Sequence, residues 1–152
     1  MLEQIKNYVD GLLATESPDD TEQRLQIATT ALLIEMMRQD NIERSAERRL
    51  IKKLIRSSFP INEDEAEKLY QLATRELNAA VDYYQFTSVI ARNYTPQQKI
   101  TVIENLWKVA FADHALDALE EHMVRRIAGL IHVSHHDFIR AKHQVKQSLS
   151  LV

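Results

Sequence analysis

Leu106-Trp107-Lys108-Val109-Ala110-Phe111-Ala112-Asp113-His114 is the stretch on which the fold turns, because the chain carries a second version of it. The earlier version is Leu33-Ile34-Glu35-Met36-Met37-Arg38-Gln39-Asp40-Asn41. Each is an apolar helical run that ends in aspartate, and in each a glutamate follows seven residues on, Glu47 or Glu120. An amphipathic stretch with paired basic residues comes next: Leu50-Ile51-Lys52-Lys53-Leu54-Ile55, and Met123-Val124-Arg125-Arg126-Ile127-Ala128. Both copies then reach a polar cap directly after an aliphatic residue, at Ile61-Asn62 and Val133-Ser134. The offset of 73 residues between the Asp-Glu pairs predicts a duplicated helix-hairpin, with pseudo-symmetric halves at about 25–75 and 97–146 related by an approximate two-fold.

Working outward, helical spacing recurs along the whole chain. Leu2, Ile5, Val9 and Leu12-Leu13 predict a first helix to about Ala14, followed by a polar break at Glu16-Ser17-Pro18-Asp19-Asp20. The run from about Thr21 to Gln39 makes a second helix, and about Arg44 to Ser57 a third. Asn62-x-x-Glu65 is a capping pair for a fourth, and about Ala80 to Ala91 reads as a fifth that buries Val81, Tyr84 and Phe86. Thr95-Pro96 starts a sixth, Asp117-x-x-Glu120 a seventh and Ser134-x-x-Asp137 an eighth. The expected fold is all-α: one compact bundle-like domain of about eight short helices spanning residues 1–152.

Composition agrees. A chain of 152 residues with 45% hydrophobic and 27% charged residues is globular, and its two glycines and three prolines cannot furnish the tight turns of a β-fold. A net charge of −3 offers no overall basic field for nucleic acid. The absence of cysteine removes disulfides, thiolate metal sites and thiol catalysis. No apolar run approaches the roughly 20 residues of a membrane span, and the N-terminus lacks a signal-peptide pattern. A soluble cytoplasmic protein is expected.

The run Leu106 to Asp113, with Leu116-Asp117, Glu120, Arg125-Arg126, Ile127 and Leu130, resembles the second signature of the TerB-like tellurite-resistance family. Leu33, Glu35, Asp40 and Glu47 match the first signature, and the resemblance extends over about Leu25 to Lys142. It implies an all-helical fold with related halves and a metal-binding role in a bacterial stress response. The family usually has glycine after each aspartate; Asn41 and His114 stand there, residue types that tolerate a left-handed backbone. Arg44 occupies the place of the capping Asp117, so the first hairpin matches less well.

Two accounts of the Asp-Glu pairs are open. Asp40 and Asp113 fall at carboxyl ends of helices, where the helix dipole disfavours their charge by ~0.3–1 kcal/mol. Each carboxylate can turn to the free N–H groups opening the next helix, with Glu47 or Glu120 in its first turn; capping of this kind is the preferred account of the spacing alone. Alternatively, Asp40, Glu47, Asp113 and Glu120 hold a hard divalent cation. Histidines at 114, 122, 132, 135, 136 and 143 are expected to face solvent, since Ser134 caps a helix between His132 and His136. The basic stretch Arg44, Arg48, Arg49, Lys52, Lys53 and Arg56 is expected mainly to solvate a helix face. An adaptor role for it, on a membrane surface, another protein or a second copy of the chain, is the alternative function. Gly11 and Gly129 form no phosphate loop, and no serine sits in a nucleophile elbow, so no enzyme is expected.

Overall fold

The computed structural model describes residues 18–42, 44–112 and 116–149. Seven α-helices lie in them: α1 Pro18–Met37, α2 Ser45–Ser58, α3 Glu63–Ala79, α4 Tyr84–Asn93, α5 Pro96–Ala110, α6 Ala118–Leu130 and α7 His135–Ser148. A 3-10 turn, Arg38–Asp40, extends α1. No strand occurs among the described residues, so the all-α expectation holds. The expected helix from Leu2 to about Ala14 lies outside them. No described helix is long and apolar enough to cross a membrane.

Helix starts follow their capping chemistry. Asn62 and Thr95 each form a reciprocal capping box, with Glu65 and Gln98, and Pro96 occupies the first turn of α5 where its missing N–H costs nothing. Ser134 accepts the N–H of Asp137 at 3.1 Å. Two starts differ from the spacing. Pro18 opens α1 instead of belonging to a break, with Asp19 and Asp20 in the first turn where the dipole favours them. In turn α4 begins later than expected, because α3 runs on to Ala79 and the Asp82 carboxylate accepts the N–H of Tyr84 at 2.9 Å. Val81 therefore lies in the connection, 99% exposed, and Tyr84 is exposed as well, while Phe86 is buried as expected.

The core is organised by α1. Leu25 and Ala28, then the run from Ala31 to Ile34 with Met36 and Met37, are buried around its whole circumference, the pattern of a helix enclosed by others. It packs against α2, α3, α4, α5 and α6. A second centre lies between α5 and α7. Trp107 is fully buried there, stacked on Phe111 and tilted against Phe138, and its indole N–H donates to the Phe138 carbonyl at 3.3 Å. Removing the ring would leave a cavity and cost ~3–5 kcal/mol.

Candidate functional site

The first hairpin is closed by a cation of its own. Beyond α1 the chain turns through Asn41, whose φ of 62° is the left-handed conformation expected of it. The Asn41 N–H donates to the Arg38 carbonyl at 3.0 Å. Asp40 Oδ1 accepts the Ile42 N–H at 3.0 Å, and Oδ2 accepts Arg44 Nη1 at 2.8 Å. The same Nη1 donates to Glu47 Oε1 at 2.9 Å. One guanidinium nitrogen thus lies between the two carboxylates that the spacing had singled out. Burial opposes the charge on Asp40, yet the bonds from Arg44 and Ile42, with the attraction of Arg44, hold its carboxyl below the usual value. The Asp40 and Glu47 bonds in turn raise the Arg44 pKa.

Capping accounts for less of this than expected. Asp40 takes a backbone N–H from the connection, not from the first turn of α2, and Arg44 at the N-cap position makes no side-chain cap bond. Arg44 is the residue whose role the spacing did not disclose. Its signal was present, since an acid four residues before a base and another three after it can share that base.

The second hairpin is built differently. Asp113 and His114 lie outside the described residues. Asp117, at the position corresponding to Arg44, caps α6: its Oδ1 accepts the N–H groups of Leu119 at 2.7 Å and Glu120 at 3.0 Å. Glu120 stands in the first turn of α6 and is buried, as Glu47 is in α2. Beside it, Glu121 pairs with Lys142 at 3.0 Å and Arg125 at 3.7 Å. Here α6 also packs against the Arg38–Asp40 turn, so the two hairpins adjoin.

The paired basic residues serve the fold. Lys52 pairs with Glu67 and lies 5.1 Å from the ring centre of Tyr70 on α3. Arg125 lies 5.6 Å from the ring of Phe138 on α7. In both cases the first base of the pair covers an aromatic ring on the following helix, a cation–π contact backed by apolar stem packing. Arg126 donates to the Tyr84 hydroxyl and covers that ring. On α2 this leaves Arg49, Lys53 and Arg56 exposed.

Histidines 122, 132, 135, 136 and 143 are exposed, and His132 itself adopts a left-handed φ of 68°. Among the described residues no group of three or more histidine, aspartate or glutamate side chains is arranged to hold a metal. A cleft of about 950 Å³ lies between α2 and α5, with the N-terminal half of α1 along it. Glu47 and Arg44 stand at one part of its wall, Lys53 and Lys108 at others.

The model of the family described as "Tellurite resistance protein TerB" matches residues 26–143. No curated protein and no solved structure matches the chain significantly. That match spans the stretch from within α1 to within α7, both hairpins and their Asp-Glu signatures included. An all-helical body with those signatures and a family match over most of its length has one affiliation: the chain belongs to the TerB tellurite-resistance family.

Proposed function

We propose that this protein is a non-enzymatic TerB-family module whose second hairpin binds a hard divalent cation, in a cytoplasmic stress response of the tellurite-resistance kind. The carrying observation is the position of Arg44 Nη1, 2.8 Å from Asp40 and 2.9 Å from Glu47. It supports the view that an Asp-x6-Glu pair across this turn converges on a single positive charge. We take the halves as related by duplication: an offset of 73 residues carries α2 onto α6, Glu47 onto Glu120 and Arg44 onto Asp117. The second hairpin then has the same pair with an acid where the first has its base. Asp113, Asp117 and Glu120 would supply carboxylate oxygens of the type that calcium, magnesium or manganese prefers, with water and backbone carbonyls completing the shell. At Asp40 and Glu47 a cation would have to displace Arg44.

Calorimetric titration of chelator-treated protein with calcium, magnesium, manganese and zinc tests this. Binding that disappears in Asp113→Asn and survives in Asp40→Asn is expected. No heat or stability change with any of the four at millimolar concentration would end the metal proposal. The function would then lie on the surface, with α2 the first place to look. Vesicle binding that is lost in Lys53→Glu would point to that adaptor role.

A further inference from the structure

We propose that the chain's own N-terminal stretch, Leu2 to Leu13, docks as an amphipathic helix in the cleft between α2 and α5. The cleft holds about 950 Å³. Its floor is apolar: Leu54 and Phe59 from the α2 side, Val102 and Phe111 from the α5 side, with partly buried Leu50 beside them. Water in such a space gains few polar partners, whereas apolar side chains replace it favourably.

The stretch supplies those side chains. Leu2, Ile5, Val9, Leu12 and Leu13 fall on one face at a period of 3.6 residues. That is the pattern by which an amphipathic helix fills an apolar groove, with anchors at every third or fourth position. Charge fits as well. Glu3 and Asp10, seven residues apart, flank the same side of the stripe, where they outnumber the one base, Lys6. Lys53 and Lys108 line the cleft and have no ion pair among the described residues. In the docked arrangement those acids would face the two lysines on the wall of the groove.

Connectivity points the same way. Glu22, one turn into α1, and Thr29, further along it, both line the cleft, so α1 runs along the groove from its second turn. Only Ala14 to Ser17 separate the stripe from Pro18, a tether short enough to keep the local concentration of the segment very high. Docking would also cover Lys53, one of the three exposed cations of α2.

The chain contains no cysteine, so Asn7→Cys in the full chain accepts a single nitroxide on the polar face of the stripe. The expected result is loss of the amide signals of Ser57, Thr101 and Asn105 through paramagnetic broadening, unchanged on dilution. Their recovery is expected when Ile5→Asp and Val9→Asp are added, with the rest of the amide spectrum unaltered. Undiminished cleft signals in the labelled protein would overturn the proposal. So would broadening that fades on dilution, which places the segment on a second copy, or broadening that persists in the aspartate variants.

Discussion

The two hairpins share an Asp-x6-Glu spacing and differ in what stands between the acids. In the first, Arg44 bridges Asp40 and Glu47, and α2 starts without a side-chain cap. In the second, Asp117 caps α6 through two backbone N–H groups, and Lys142 and Arg125 are engaged with Glu121. Two stretches with the same acidic spacing can therefore differ, one holding an internal cation and the other a helix cap. The lesson is that acidic spacing alone does not define a binding site. The residue four positions after the aspartate, Arg44 in one and Asp117 in the other, is where the two part.

The largest effect that separates the hairpins should be a cation-dependent rise in melting temperature. A cation at 100 times its dissociation constant stabilises the folded state by ~2.7 kcal/mol, a shift of ~5–11 °C for a domain of this size. Differential scanning fluorimetry should show it in wild type and in Asp40→Asn, but not in Asp113→Asn. Without metal Asp113→Asn should melt close to wild type, because the cap of α6 is Asp117 and is left in place.

Exchanging the deciding residues tests the comparison directly. Arg44→Asp removes the bridging guanidinium and leaves Asp40 and Glu47 for an external cation. Calorimetry should then detect a second equivalent bound. Asp117→Arg should place a base in the second hairpin and abolish cation binding there. Unchanged stoichiometry in both variants would separate the Asp-Glu pairs from metal altogether.

A smaller effect concerns the cap itself. Asp117→Ala should cost ~1 kcal/mol, or ~2–4 °C in metal-free protein, while Asp117→Asn should cost little. Arg44→Ala removes no cap, since α2 has none from that side chain.

The smallest concerns acid. The folded-state pKa of Asp40 is lowered, so its ionised form contributes stability above the unfolded value of ~3.9, and that contribution is lost as pH falls through the lowered value. Carboxyl chemical shifts should place the Asp40 titration below the usual range. In Arg44→Gln it should move up, since burial then acts with the bond from Ile42 as its main opponent, and acid unfolding should begin at a higher pH.

Much of the fold was legible because helix-forming signals are local. Asn62-x-x-Glu65, Thr95-Pro96 and Ser134 marked three helix starts through hydrogen bonds spanning three residues. The α4 boundary was not legible, because Asp82 and the extension of α3 compete for the same few residues and neighbouring helices settle the outcome. Of the acidic pairs, the spacing showed Asp40 at a helix end and Glu47 in the next first turn. It did not show that Arg44 would reach both.

The sequence by itself determined an all-α chain, its main helix starts and the 73-residue recurrence of an aspartate, a glutamate and paired bases. These rest on backbone periodicity and short-range hydrogen bonds, which adjacent residues decide among themselves. Tertiary structure alone decided which side chain answers each charge: Arg44 lies between two acids, Lys52 over Tyr70, Arg125 over Phe138 and Arg126 on Tyr84. A long basic side chain has many rotamers of similar energy, so its partner is chosen by the elements that packing brings within reach.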